Sequence, residues 1–425
     1  MEKLFAKALA RYIRIGSLKL RLPSGDLHVF GDGSGAPATV VFRKPGTLRQ
    51  MMADPSLGFA EGYMNGDIDV EEGDLLDVMR IAFSNGDYSR MLGSPSRLRA
   101  AFNFLVRRFF QINTAARSRR NVSHHYDLSG ELYRLFLDPD LQYSCAYFDH
   151  PGQTLEDAQL AKKRHIAAKL CLDPGQSVLE IGSGWGGLAL YLAKHLEADV
   201  FGVTLSTEQL EVSRQRAKQA GLDQQVRFEL QDYREVSRRF DRIVSVGMFE
   251  HVGVNHYRAY FEKIAKLLKD DGVALVHTIG RSGPPTVTDS FIRKHIFPGG
   301  YIPALSEVAP VVERAGLVLT DLEVLRLHYA ETLKAWRANF ANARNRVTTM
   351  YDERFCRMWE FYLVASEASF RWGDLCVFQF QLARNKAAVP LTRDYLPGSE
   401  DALRQKDSGQ KRRKSRQKGI VTSTH

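Results

Sequence analysis

Ser177-Val178-Leu179-Glu180-Ile181-Gly182-Ser183-Gly184-Trp185-Gly186-Gly187 is the stretch on which the fold of this chain turns. A short apolar run ends in a carboxylate, and a cluster of glycines comes next. The residues after it, Leu188 to Leu196, place Leu188, Leu192 and Leu196 on one face of a helix. Strand, glycine turn and helix form the opening unit of a doubly wound sheet, which holds a nucleotide-like ligand at its strand ends. Glycine is required where the chain turns sharply and ligand atoms approach the backbone. A Gly-rich turn alone is a weak signal, so the spacing of the downstream elements decides.

Downstream the alternation is regular. Asp199 to Thr204 is a strand, Glu208 to Ala220 a helix, Val226 to Leu230 a strand and Asp241 to Val246 a strand. His256 to Lys269 reads as a helix, and Asp271-Gly272 as a turn into the strand Val273 to Ile279. Alternating βα units predict a mostly parallel sheet covered on both faces, hence an α/β, doubly wound, Rossmann-like domain. A helical insertion is expected from Arg281 to Ala315, broken by Pro284-Pro285, Pro298-Gly299-Gly300 and Pro303. The last strands are Leu317 to Leu327 and Leu375 to Leu382, with two helical stretches between them.

Working outward to the N-terminus, residues 1–85 read as a small α+β module. Lys3 to Arg14 has helical periodicity, with Leu4, Phe5, Leu9, Tyr12 and Ile13 on one side and basic residues elsewhere. That face suits either a membrane surface or docking on its own domain. Leu18 to Phe30 and Ala38 to Arg43 read as strands, Gly58 to Asp69 as a helix leading into a Gly-Asp turn, and Leu75 to Phe83 as a helix. Residues 86–122 form a basic linker containing Arg107-Arg108, Arg117, Arg119 and Arg120. The catalytic region is placed at 123–395, with the helix Leu155 to Leu170 ahead of the glycine cluster, and 396–425 reads as a disordered basic tail. From Asp401 onward eight Lys/Arg face two Asp, so +6 of the chain's net +10 sits there. Such a tail suits nucleic acid, an anionic membrane or no partner at all. No apolar run reaches the length of a membrane span, and Met1 to Lys7 lacks the core of a signal peptide. The four cysteines have no metal-ligand spacing, which fits reduced thiols in a cytoplasmic protein.

The strand ends specify the ligand. They read Glu180-Ile181-Gly182-Ser183-Gly184, Thr204-Leu205-Ser206, Asp232-Tyr233 and Glu250-His251. A dinucleotide site wants G-x-G-x-x-G to seat a pyrophosphate on a helix N-terminus. Here Gly182, Gly184, Gly186 and Gly187 make a tighter turn, suited to a ligand without phosphates. Glu180 can meet an ammonium, directly or through water, and Asp232-Tyr233 can meet an adenine amine and ring. Together these loops point to S-adenosylmethionine. The second strand ends in Thr204 rather than an acid, so the ribose would be held by the hydroxyls of Thr204 and Ser206 and by Gln209. Tyr143 and Ser144, in Gln142-Tyr143-Ser144-Cys145-Ala146-Tyr147-Phe148, would form part of a lid. The candidate donor-binding residues are therefore Tyr143, Ser144, Glu180, Gly182, Ser183, Gly184, Gly186, Thr204, Ser206, Gln209, Asp232 and Tyr233.

Tyr143 to Phe148, Gly182 to Gly187, Gly202 to Ser206, Phe249-Glu250-His251-Val252-Gly253 and His277-Thr278-Ile279-Gly280 together resemble the cyclopropane-fatty-acyl-phospholipid synthases and the related mycolic acid cyclopropane synthases. The resemblance runs from about Asn121 to Arg384, and Gly58 to Asp69 resembles the N-terminal domain of the longer, phospholipid-acting members. It implies a class I methyltransferase fold and methyl transfer to a cis alkene of a lipid acyl chain. Proton loss from the resulting carbocation then closes a three-membered ring. A dry aromatic pocket would tolerate the cation. Family members use bicarbonate as the weak base, and by motif position its cradle here would be Cys145, Glu250, His277, Ile279 and Tyr329. The expected partner is unsaturated phospholipid at the inner face of the membrane, with the protein peripheral there, cytoplasmic and homodimeric, and without a nucleic-acid partner. Phe291, Ile292, Ile296, Phe297, Tyr301, Ile302, Trp336, Phe340, Phe361 and Phe370 are candidates for the acyl channel or for plain core.

One position departs from the family pattern. Ser366 stands where the resembling stretch carries a cysteine, which is hard to reconcile with a required thiolate. Two other activities compete: acyl-chain or small-molecule methylation without ring closure, and nucleic-acid methylation. Against the latter, no N/D-P-P-Y/F tetrapeptide occurs, and the basic residues cluster in tails without interleaved stacking aromatics.

Overall fold

The computed structural model describes residues 1–86 and 129–421, with side chains through 409. The arginines of the expected linker, the tract Asn121–Leu128 and its His124 and His125 lie outside the described residues.

The N-terminal module is a four-stranded sheet in the order β2-β1-β3-β4, built from β1 (Ser17–Arg21), β2 (Leu27–Phe30), β3 (Pro37–Phe42) and β4 (Ile68–Glu72). The single strand expected over Leu18–Phe30 is a hairpin instead. Pro23 interrupts it, and Gly25 takes φ +92°, a turn conformation that costs glycine little. The helix Glu2–Tyr12 buries Phe5, Leu9 and Tyr12 in this module's core, so most of its apolar face docks on its own domain. Leu4 points outward, 58% exposed.

The larger sheet has seven strands in the order β10-β11-β9-β8-β5-β6-β7. These are β5 (Ser177–Ile181), β6 (Asp199–Thr204), β7 (Val226–Leu230), β8 (Phe240–Val246), β9 (Leu268–Arg281), β10 (Val318–Leu325) and β11 (Leu375–Ala383). The five from β9 to β7 are parallel, while β11 runs antiparallel to both β9 and β10. This is the doubly wound, Rossmann-like methyltransferase fold. The chain steps outward from β5 to β7 and restarts at β8 on the other side of β5. The switch point therefore lies between β5 and β8, where such sheets bind ligands. Apolar clusters fill both faces: Leu188, Leu192 and Leu210 on one, Phe249, Tyr260 and Ile264 on the other.

Three expectations are corrected. Asp271-Gly272 is no separate turn, because β9 begins directly after the helix Tyr257–Leu267 and passes through both residues. The stretch expected as a helical insertion from Arg281 to Ala315 is mostly irregular. Its prolines interrupt the backbone ladder, leaving a π-turn at Ile292–Ile296 and a helix at Leu305–Arg314. The C-terminal tail is not disordered from residue 396: Tyr395–Val421 is a helix. Its first turns are held by buried groups. Leu403 joins the core, Asp407 accepts from Arg164 at 2.9 Å, and Glu400 pairs with His165 at 2.5 Å.

The helices His328–Met350 and Glu353–Arg371 form a hairpin that carries the N-terminal module. Arg357 reaches into the module, donating to the Tyr63 carbonyl, to the Ile68 carbonyl at 2.8 Å and to Asp69 at 2.8 Å. Tyr63 donates to Glu360 at 3.1 Å, and Glu61 pairs with Lys294 and His295. Among the described residues no helix is long and apolar enough to cross a membrane.

Candidate active site

A cavity of about 190 Å³ opens at the switch point, lined by the loops after β5, β6, β7 and β8. The glycine turn is built for its position. Gly182 and Ser183 both donate to the Val203 carbonyl, at 2.9 and 3.0 Å, which pins the loop to β6. Gly184 takes φ +52° with open space beside it. Gly186 takes φ +82°, and a Cβ there would come within 2.7 Å of the Phe228 ring.

Ten of the twelve expected donor-binding residues line this cavity: Tyr143, Ser144, Glu180, Gly182, Ser183, Gly184, Thr204, Gln209, Asp232 and Tyr233. Gly186 and Ser206 do not. Gly186 is a packing position against Phe228, and Ser206 caps the helix Thr207–Gln219 by accepting from the Gln209 N–H at 3.3 Å. Thr204 donates to Gln209 at 3.0 Å, so the two polar groups of this strand end support each other. Asp232 is held by Arg234, which donates to both carboxylate oxygens at 2.8 and 2.6 Å.

Burial pushes the Glu180 carboxyl, 4% exposed, up to about 8, and outweighs the opposing pull of the Lys162 charge. Its Oε2 and the Ser183 hydroxyl are buried without hydrogen-bond partners, leaving two polar atoms at the cavity wall ready for a ligand. The wall also includes residues outside the expected donor-binding set: Gln142, Lys162, Gly247, Met248, His251, His256, Pro298 and Gly299. Nothing in the sequence marks Lys162 out from its neighbours. Its helix, Leu155–Lys169, has no apolar stripe yet buries Lys162, Lys163, Arg164, His165 and Lys169.

None of Cys145, Glu250, His277, Ile279 and Tyr329 lines that cavity. The contacts join Ile279 to Glu250 directly, its N–H donating to Oε1 at 2.6 Å, and by packing to the aromatic cluster containing Cys145 and Tyr329. His277 lies two residues back along β9, on the same face of the strand. Burial raises Glu250 to about 7, and its Oε2 has no partner. Burial likewise lifts the Cys145 thiol far above its ordinary range, so it is a thiol and not a thiolate.

His277 is the end of a buried polar chain. Its Nδ1 is 3.1 Å from Gln379 Nε2, and Gln379 Oε1 accepts from Lys169 at 2.9 Å. The ammonium fixes which way the amide points, so Gln379 donates and His277 Nδ1 accepts. His277 is thus neutral, with its proton on Nε2; burial lowers its pKa well below the usual value. Lys169 pairs onward with Glu323, and His165 lies between Glu323 at 2.7 Å and Glu400 at 2.5 Å. Burial opposes the charge on His165, but the hydrogen bonds to these two carboxylates raise its pKa overall.

The aromatic cluster adjoins both groups of residues. Tyr143 stacks on Trp336 at 5.2 Å, Tyr133 meets Tyr143 at 5.2 Å and Trp185 at 5.0 Å, and Tyr329 meets Trp336 edge-on at 5.7 Å. Of the channel candidates, Phe291, Ile296, Trp336, Phe340, Phe361 and Phe370 are buried in it, with Ile292 and Phe297 at its edge. Tyr301 packs in the opposite core. Ser366 is half-buried on the helix Glu353–Arg371.

Comparison with known proteins places this geometry. Residues 113–380 match the family model described as mycolic acid cyclopropane synthetase, and residues 4–91 match a domain of unknown function. The cyclopropane-fatty-acyl-phospholipid synthase of Escherichia coli K12 is 38% identical over 82% of this chain and 88% of that protein. A probable fatty acid methyltransferase of Pseudomonas putida is 35% identical over 85% of this chain and 91% of its own length. The solved structure of mycolic acid cyclopropane synthase CmaA1 complexed with SAH and CTAB is 34% identical. It covers 62% of this chain and 97% of that chain at a TM-score of 0.59.

Proposed function

The chain belongs to the mycolic acid cyclopropane synthetase family, and on that premise we propose that it converts the cis double bond of an unsaturated phospholipid acyl chain to a cyclopropane. The one-carbon unit would come from S-adenosylmethionine. The observation that carries this reading is the placement of Tyr143 and Trp185, which line the switch-point cavity and also belong to the aromatic cluster beside it. A methyl donor in that cavity abuts an apolar, aromatic chamber.

The cavity's own groups fit such a donor. Glu180 Oε2 and the Ser183 hydroxyl offer buried hydrogen-bond capacity to its amino-acid end, and Tyr233 lines the wall for an adenine ring. When bound, the donor supplies an electrophilic methyl group on sulfur. The alkene π pair would bond to that carbon as its bond to sulfur breaks and S-adenosylhomocysteine leaves, and positive charge would develop on the acyl chain. Rings of this cluster that face the chain would stabilise that charge by about 0.5–2 kcal/mol per contact. Their burial keeps out the water that would otherwise capture it.

The last step removes a proton from the former methyl group. Neither Cys145, a high-pKa thiol, nor the neutral His277, whose Nδ1 is occupied by Gln379, suits the role of base. We assign that role to a hydrogencarbonate held by the residues around Ile279, which would supply a weak base in a dry site. Glu250 Oε1 is taken by the Ile279 N–H, so Oε2 is the carboxyl atom with capacity for the ion. Raised to about 7, Glu250 can share a proton with an anion rather than repel it. His277 Nε2–H would act as a donor. The membrane side of the proposal is a peripheral homodimer at the inner face of the membrane. Exposed Leu4 beside Lys3 and Lys7 supports contact there.

A second reading, methylation without ring closure, is favoured by the Pseudomonas putida relative's name and by Ser366. Mass spectrometry separates the two. The protein is mixed with labelled S-adenosylmethionine and vesicles of cis-monounsaturated phospholipid. A gain of one CH₂ that resists mild hydrogenation is expected. A product that still takes up hydrogen selects the second reading on an acyl chain, and no gain refutes both lipid activities and leaves methylation of a small molecule.

A further inference from the structure

Lys162 is 1% exposed in the middle of the helix Leu155–Lys169, and it lines the switch-point cavity. Its ammonium donates to Gln142 Oε1 at 2.6 Å and to Ser144 Oγ at 2.7 Å. Both partners are uncharged. The other cations of this helix differ: Lys163 pairs with Asp140 at 2.5 Å, Arg164 with Asp407 at 2.9 Å and Asp149 at 3.1 Å, and Lys169 with Glu323. Among the described residues no carboxylate lies within ion-pairing distance of Lys162.

Burial draws the Lys162 ammonium down to about 8, outweighing Asp138 and Asp140, which favour its charge only from beyond ion-pairing distance. Glu180, on the same cavity wall, is held protonated at neutral pH by its burial. Burial raises Asp138 as well, and its oxygens accept from the backbone N–H groups of Asp140 at 3.0 Å and Gln142 at 2.8 Å. Asp140 is already paired by Lys163 and Arg216. A buried ammonium with no counter-charge in contact is costly, and an ammonium has three N–H donors, of which two are used here. The remaining donor and a charge with no contacting carboxylate meet at a cavity wall.

We propose that Lys162 is an anion-binding residue of this cavity, holding a carboxylate-type group presented between Ser144, Gln142 and Glu180. The group of that chemistry that the cavity would hold is the α-carboxylate of the methyl donor. The proposal rests on the methyl-donor reading above. It adds a residue that neither the glycine loop nor the strand ends reveal. It also explains why the segment Gln142–Ser144 is tied to this helix through a cation rather than through an apolar contact.

The test compares two probes by calorimetry on the full chain. One is S-adenosylhomocysteine. The other is its decarboxylated analogue, which keeps the amine and lacks only the carboxylate. In the unaltered protein the first binds at least ten-fold more tightly, and in Lys162→Gln that preference collapses to about two-fold or less. If the preference persists in Lys162→Gln, or if both probes weaken equally, the proposal is overturned. If the unaltered protein binds neither probe, the methyl-donor reading itself fails, which is a separate result. Near-UV circular dichroism checks the fold. If Lys162→Gln does not fold, Lys162→Arg, which keeps the charge, must retain the carboxylate preference to within about three-fold. Its loss there counts against the proposal.

Discussion

Replacing Glu250 by glutamine should make the protein more stable at high pH while impairing turnover. The carboxyl is wholly buried, and its pKa rises from the ordinary 4.5 to about 7 because burial penalises the charged form. The folded state therefore binds the proton more tightly than the unfolded chain. Stability associated with that proton is fully present below pH 4.5 and is lost as pH rises through 7. At about 1.4 kcal/mol per pH unit, the loss is about 3 kcal/mol. Glutamine keeps the oxygen that accepts from the Ile279 N–H and does not ionise. The two proteins should thus have similar stability near pH 5. By pH 8.5 the variant should gain about 3 kcal/mol on the unaltered protein, a relative shift in Tm of roughly 5 °C for a unit of this size. Thermal melts of both proteins at half-unit intervals from pH 5 to pH 8.5 measure the difference curve. A difference that stays flat within about 1 kcal/mol would refute the reasoning, because Glu250 would then ionise with no penalty from its surroundings. A gain centred near pH 4.5 would do so too. Paired with a fall in turnover at pH 7.5, the expected gain marks a group kept buried for chemistry at the expense of stability.

Gln379→Leu should free the His277 tautomer without removing the imidazole; kcat should fall about ten-fold or more with an altered pH profile, whereas an unchanged profile would show that the Lys169–Gln379 pair does not orient it. Arg357→Ala removes three donors to the N-terminal module, and a loss of about 2–4 kcal/mol at the module's junction should appear as faster proteolysis between the module and the catalytic domain. Gly186→Ala combines a left-handed φ of +82° with a 2.7 Å approach to Phe228; a drop in Tm equivalent to about 1–3 kcal/mol is expected, and an unchanged melt would contradict it. Asp407→Ala leaves Arg164 with Asp149 as its remaining carboxylate and should detach the start of the C-terminal helix, read as faster amide exchange over residues 395–409.

The doubly wound sheet was legible because its signals are local. Apolar runs of strand length, glycines at turns and the order of βα units are all written within short windows, and the strand bounds differ by only a residue or so from their expected places for β5 to β8. The donor cavity was legible for the same reason, since the topology brings the strand ends to one edge and ten named residues line it. Local signals failed where tertiary contacts decide. A basic, polar C-terminal stretch reads as unstructured on composition. It is helical here because His165 and Arg164, more than two hundred residues away, pair with Glu400 and Asp407, and Leu403 packs into the core. The prolines of the insertion were visible, but how little helix would survive between them was not.

What the sequence by itself determined is the order of the elements, the glycine turn and the residue types at the strand ends. It also determined the family, through several motifs whose spacing is preserved together. What only the tertiary structure decided is charge and proximity. The same helix carries Lys162, Lys163, Arg164 and Lys169, and nothing in that run distinguishes them. The folded chain brings a carboxylate to three and leaves Lys162 with uncharged partners at a cavity wall. The reason is physical: helix and strand propensities act over a few residues, whereas the pairing and desolvation of a charge depend on which distant groups packing places around it.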